Sequence, residues 1–399
     1  ARPLTGSRAP VTVRGGRGPP LIDAPPILVG VQLPSPTSLD DLRADGALIQ
    51  ADVDATWSSV MGTVQGVEYT ADTARVHTRS GARDLPAAEV ARLVDGEWVW
   101  SREHDLDIPE LHSPQPASDG LLRAARTLHG NVPVFLAPFP DGQRAMAVEF
   151  RPSPGPLRSA LTLGLAQLPA ELDARRSLLA FAAARGLGVR ETADAFEFSD
   201  GTAVTLRGGR PTSVSGGLQV EDVLADAHYF SAEHQLLLDG RFPDPDIRLD
   251  IAGGHATLDG HVHAGAIIVA TVTGETWTWG WADPYLPPSP AANLRRFGVD
   301  HGILDLVRPR VPARAELIDV CKPILDVWTH ALVPLNADTR AVVLLSAPEL
   351  TLPGPQAPTT GQAVEVTLAT VPGAGVDKQR ARAAYAQRRG VTLPPTQAR

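Results

Sequence analysis

Trp98-Val99-Trp100 and Trp277-Thr278-Trp279 are two short aromatic stretches in one 399-residue chain, and what surrounds them recurs in the same order. Just upstream, Val90-Ala91 answers Val269-Ala270. Farther back, Leu42-Arg43-Ala44-Asp45-Gly46 followed by Asp52-Val53 aligns without a gap on Leu236-Leu237-Leu238-Asp239-Gly240 followed by Asp246-Ile247. Downstream, residues 116–150 lie over 312–346, matching Pro116/Pro312, Leu121/Leu317, Pro138/Pro334 and Arg144-Ala145/Arg340-Ala341. Self-similarity in fixed order marks a duplication, and units of roughly 110–125 residues are of domain size. The chain therefore reads as two copies of one α+β domain, each an antiparallel sheet packed with helices, paired as an intramolecular pseudo-dimer.

The organisation follows from local signals. Residues 1–35, rich in Gly, Arg and Pro, read as a disordered leader. The first copy spans 36–156, with Ser38 as a helix cap before Leu39, strands near Val64–Tyr69, Arg75–Thr78 and Arg92–Trp100, and a helix near Ala117–Leu128. A hairpin from Val134 to Phe150 turns at Pro140-Asp141-Gly142. Residues 157–221 read as a connector without a counterpart: a helix through Arg185, ended by Gly186, then a hairpin turning at Asp200-Gly201. The second copy spans 222–353. Residues 354–399 read as one more strand (Ala363–Ala369) and a basic helical tail, in which Arg380, Arg382, Arg388 and Arg389 face solvent or an acidic partner.

Composition narrows the function. At 43% apolar the chain buries one or two sizeable cores, and a net charge of −9 disfavours a nucleic-acid-binding surface, which needs clustered Lys and Arg. Only Lys322 and Lys378 are lysines, a bias of the kind a high-GC actinobacterial genome imposes. The one cysteine, Cys321, lies on an apolar helical face and reads as a buried inert thiol. No apolar run reaches the ~18 residues of a spanning helix. The expectation is a cytoplasmic protein with no membrane or nucleic-acid partner and no cofactor.

In Gly274-Glu275-Thr276-Trp277-Thr278-Trp279-Gly280-Trp281-Ala282-Asp283 the three indoles are two apart and share one strand face. That face either anchors a core or offers a stacking platform. The stretch resembles an uncharacterised bacterial domain-of-unknown-function family marked by a Gly followed by Trp-x-Trp-x-Trp-Ala-Asn, then a polar insert, a helix and a final hairpin. Phe230-Ser231-Ala232-Glu233-His234-Gln235 is similar to that family's leading helix, and the resemblance covers about 225–350. Asp283 stands where the family has Asn, and the first copy has Arg102 where the third Trp falls. The resemblance implies an α+β domain and no established activity.

Catalytic signatures are scarce. There is no Gly-x-Ser-x-Gly elbow, Ser215 sits in turn chemistry, and Arg207-Gly208-Gly209-Arg210 lacks the Lys and spacing of a phosphate loop. His255, His261 and His263 are the metal candidates, since His261 and His263 project from one strand face. The interval from Trp279 to Pro312 exceeds that from Trp100 to Pro116 by 17 residues (33 against 16), and extra loops on a repeated scaffold carry function. The favoured reading is a non-catalytic binding protein for a protein or small-molecule ligand, using Trp277, Trp279, Trp281, Asp283, Tyr285, Arg295, Arg296 and His301. The alternative is a metal-dependent hydrolase using His255, His261 and His263.

Overall fold

The computed structural model describes residues 33–393, so most of the proposed leader lies outside the described residues. Helix α1 (Leu39–Met61) starts at the expected cap: the Asp41 amide donates to the Ser38 hydroxyl, and two acids occupy the first turn. An antiparallel sheet follows, with β1 (Val64–Tyr69), β2 (Thr73–Thr78), β3 (Gly81–Val94), β4 (Glu97–Trp100) and β5 (Gln115–Pro116) neighbours in that order. After α2 (Asp119–Leu128), the hairpin of β6 (Val134–Phe139) and β7 (Gly142–Val148) returns β7 to the other edge of β3. Helices α3 (Leu157–Gln167) and α4 (Ala174–Arg185) then pack on α1. A four-stranded meander links the halves: β8 (Val189–Glu191), β9 (Ala195–Phe198), β10 (Ala203–Arg207) and β11 (Arg210–Val214).

The second half repeats the first. Helix α5 (Val220–Arg241) leads into β12 (Ile247–Asp250), β13 (His255–Leu258), β14 (Val262–Thr273) and β15 (Thr276–Trp279). Helices α6 (Ala292–His301) and α7 (Leu304–Val307) interrupt the sheet before β16 (Arg310–Pro312). Then come α8 (Glu316–Leu325), the hairpin β17 (Thr329–Pro334) and β18 (Thr339–Ser346), and helices α9 (Thr360–Leu368) and α10 (Lys378–Arg389). Both seven-stranded sheets have one connectivity, β18 pairing with β14 and β17 as β7 pairs with β3 and β6. Each long strand carries a bulge at the same place, Val90 opposite β7 and Val269 opposite β18. The tryptophan pairs are superposable in kind: Trp98 and Trp100 lie 5.3 Å apart at 72°, and so do Trp277 and Trp279. The protein is an α+β fold built on a duplicated domain.

The duplication reaches farther than the aligned residues, and its register differs from the ungapped one. Leu42–Gly46 lie in the first turns of α1, whereas Leu236–Gly240 end α5, so Asp45/Asp239 and Asp52/Asp246 are not equivalent. Aligning the helix caps Ser38 and Gln219 instead pairs Asp41 with Asp222, Asp45 with Asp226 and Asp52 with Glu233. Those acids receive matching arginines. Arg176 on α4 binds Asp45 at 2.7 Å and Arg185 binds Asp52 at 2.6 Å; Arg380 on α10 binds Asp226 at 2.8 Å and Arg389 binds Glu233 at 3.0 Å.

Helices α4 and α10 are thus counterparts, each capped by an Asp (Asp173, Asp377) and ended by a left-handed glycine (Gly186, φ 64; Gly390, φ 68). The basic tail is therefore a clamp on α5 rather than a solvated helix, because Arg389 finds the buried Glu233 and Arg380 the half-buried Asp222 and Asp226. The strand expected at Ala363–Ala369 is helix α9, whose Thr360 and Thr367 are buried. Arg144 and Arg340 also fall out of register. Pro138 faces Gln143 in the first hairpin and Pro334 faces Arg340 in the second, which is one residue longer at its turn.

Strand β18 is buried on both faces. Val342 and Leu344 pack with Trp277, Trp279, Leu317 and Cys321, while Ala341, Val343 and Leu345 pack with Leu238 and Phe242 from the end of α5. The halves meet asymmetrically: α6 and α7 of the second copy lie against α3 of the first, and Leu304 joins Leu161, Leu165 and Phe181 in one core. The Val214 amide donates to the Gly302 carbonyl (3.0 Å), and Arg158 donates to the Asp300 carbonyl (3.1 Å). A pseudo-dimer would present the same surface from both copies; this contact uses different ones.

Candidate functional site

Both copies leave a gap in the ladder beside the bulge of their long strand, and they differ in the side chains that surround it. Strand β13 pairs with β14 only up to Gly265, and β15 joins the same edge only from Ala270. Between them opens a cleft of about 320 Å³, floored by Gly265–Ile268 and walled by Leu249–His255. The arm Leu286–Pro290, which begins the long insert, forms its third side. This volume is at the lower end of small-ligand sites. Glycine is required at both ends. Gly254 takes φ 68 in the turn, and a Cβ at Gly280 would sit 2.4 Å from the Ile268 carbonyl oxygen. Most of the lining is aliphatic or proline; the polar exceptions include Asp250, His255, Ser289 and Ser346. Asp250 is fixed by accepting the Gly253 amide at 3.0 Å.

The first copy fills the equivalent position with charge. Glu89 precedes the bulge of β3 as Ile268 precedes that of β14. Its carboxylate takes Arg92 at 2.7 Å, Ser101 at 2.8 Å and Arg144 at 2.9 Å, and Arg144 also binds Asp141. Burial pulls the Glu89 carboxyl upward. The bonds from Arg92 and Ser101 and the two guanidinium charges outweigh it and hold the group below the usual carboxylate range.

The residues singled out from sequence divide into three groups. Trp277 and Trp279 are 2% and 0% exposed, so they anchor the core and do not offer a stacking surface; the Trp279 indole donates to the Asp305 carbonyl at 2.8 Å. Burial wins because both face the helix side of the sheet and pack with Leu317, Val320 and Cys321 of α8. Near the arm, Trp281 is half-buried beneath the Arg295 guanidinium (5.4 Å), and Asp283 holds the turn by accepting from Thr271 (2.9 Å) and the Tyr285 amide (3.0 Å). Tyr285 is 92% exposed. Farther along, Arg296 bonds Asn293 within α6, and His301 accepts the Leu218 amide (3.2 Å) at the joint between copies. The insert therefore has two parts, an arm over the cleft and a helical wedge that docks the halves.

The three candidate metal histidines do not converge. All are exposed, His261 turns to the Asp259 carbonyl (2.9 Å), and His263 sits on the strand opposite Thr257 while His255 lines the cleft. Among the described residues no three His, Cys, Asp or Glu side chains are grouped so as to hold a metal. Cys321 is buried as expected, its thiol pushed up by burial.

One cluster went unseen in the sequence. Lys322, 0% exposed, bonds Ser231 at 2.5 Å and Asp319 at 2.9 Å, and Ser231 donates to Asp319 at 2.7 Å. Burial lowers the ammonium; at Asp319 the Lys322 charge and the bonds from Ser231 and Lys322 overcome burial and hold the carboxyl down. His234 and His330, beside it, are driven by burial to about 4. A hydroxyl with an amine at this distance has the makings of a nucleophile and base, but with Ser231 only 5% exposed no substrate reaches it. Its role is structural. A lysine inside the apolar run Leu317–Ile324 was the available signal.

With this geometry in place, comparison with known proteins adds one fact. Residues 221–348 form a domain of unknown function, DUF6882. The DUF6882 region runs from the start of α5 through β18 and so contains the cleft, the arm and the buried lysine. No curated protein and no solved structure matches the chain. No helix among the described residues is long and apolar enough to cross a membrane.

Proposed function

We propose that the chain is a non-catalytic binding protein whose ligand occupies the cleft between β14 and the Leu286–Pro290 arm. The observation that supports this reading is the contrast between copies: one scaffold, filled by Glu89 and its arginines in the first and left apolar and open in the second. The site keeps the start of the insert expected from sequence and replaces the buried tryptophans with Ile268, Leu286 and the turn around Asp250. A mostly aliphatic lining with a few fixed polar groups suits an elongated apolar ligand with hydrogen-bonding ends. The test is a ligand-observed NMR screen of small apolar amides and acids against the full chain and Gly265→Val. The valine would fill the floor, since a Cβ there already reaches Ser346 Oγ at 2.8 Å. Hits on the parent that vanish in Gly265→Val support the site; equal binding by both sinks it.

A further inference from the structure

We infer that the ligand of this cleft is an extended peptide segment, added along the free edge of β14, with apolar side chains and a basic flank. This rests on the binding reading above and specifies its ligand. The edge of β14 facing the cleft has no ladder partner over residues 266–269. Its ends are held by the Ala266 amide donating to Gly254 (2.9 Å) and the Gly280 amide donating to the Val269 carbonyl (2.7 Å). Main-chain groups alternate sides along a strand. The Ala266 carbonyl and the Ile268 amide therefore point the same way as the Ala266 amide, into the gap. An edge of this kind is a template for another strand.

The arm does not serve as that strand. Pro287, Pro288 and Pro290 have no amide hydrogen to donate, so the arm walls the gap and leaves the edge free. Leu249, Ile251, Ile268 and Leu286 supply the apolar contacts for alternate side chains of an incoming strand. Charge sets the flank. Asp250 is the one carboxylate among the lining residues, at the cleft end of the β12–β13 hairpin, and the one arginine of that hairpin, Arg248, is paired with Asp246 at 3.0 Å. A Lys or Arg next to the apolar stretch meets the Asp250 carboxylate.

The experiment is selection of a phage-displayed random heptapeptide pool on the full chain, with Gly265→Val as the counter-target and calorimetric titration of dodecanoate in parallel. The expected result is enrichment of peptides alternating β-branched or aromatic residues beside a Lys or Arg. Their binding should fall at least tenfold in Gly265→Val, and several-fold to about tenfold when the central peptide amide is N-methylated, the loss of one main-chain hydrogen bond. Enriched peptides that ignore N-methylation or bind Gly265→Val equally overturn the strand-addition inference. Dodecanoate binding that is lost in Gly265→Val, without peptide enrichment, overturns the peptide ligand and leaves the cleft as a binding site. Failure of peptides and dodecanoate alike overturns both.

Discussion

Glu89 and Ile268 stand at the same point of two equivalent strands, one gripped by two arginines and a serine, the other facing an open cleft. Around them the skeleton hardly changes: the bulge, the tryptophan pair and the clamping helix are present twice. The difference teaches where a duplicated domain is free to diverge. Positions that hold the sheet to its helices are kept in both halves, while the side chain just before the bulge is an ion-paired carboxylate in one and an isoleucine lining a cleft in the other.

The clamp allows the strongest test of that equivalence. Arg389 and Glu233 are 4% and 3% exposed, whereas Arg185 and Asp52 are each 15% exposed. Removing one partner of a buried pair strands a charge, so Arg389→Met is expected to cost about 3–5 kcal/mol in urea unfolding. Arg185→Met should cost about 1–2 kcal/mol, since solvent relieves part of the penalty. Equal losses would show that the halves are clamped alike. Pairing Arg389→Met with Glu233→Leu should restore most of the stability.

Acid gives the next effect. His234 and His330 stay neutral in the fold down to about 4, while an unfolded histidine takes up its proton near its ordinary value of 6.5. Between these limits the unfolded state binds more protons, so this stability is full above pH 6.5 and is lost as pH falls toward 4. A loss of up to roughly 3 kcal/mol per histidine is expected across that window. His234→Gln with His330→Gln should flatten the slope; an unchanged slope would place the acid sensitivity elsewhere, including the first copy's His129, also driven by burial to about 4.

Two smaller changes exchange the characters of the copies. Glu89→Ile gives the first copy the residue of the second and should cost about 1 kcal/mol as Arg144 and Arg92 lose their partner. It should create no ligand site, because the first copy lacks the arm; NMR hits that appear at the first copy would break this account. Gly265→Val places a β-branched residue in a strand interior and should raise stability by about 0.5–1 kcal/mol by thermal unfolding. A clear loss would mean that Ser346 does not yield.

The tryptophan pair, the Ser38 cap and the Asp200-Gly201 hairpin were legible because each depends on residues close in sequence. The equivalence of α4 and α10 was not, although Asp173, Arg176, Arg185 and Gly186 correspond to Asp377, Arg380, Arg389 and Gly390. Insertions of different length between the matched segments shift the register several times, and an ungapped comparison loses it. Val364, Val366 and Thr367 favour a strand by propensity, and packing against α5 makes them a helix. The cleft had no periodic signal at all, since it is a gap between two strands that share one edge.

The wedge of α6 and α7 against α3 also sets an order of events on the ribosome. Leu161 and Leu165 emerge early, yet Leu304, which completes their core, is synthesised about 140 residues later. Domains form from the N-terminus as chains grow. The first half of this protein therefore waits, with an apolar helix face uncovered, until its younger twin supplies the lid.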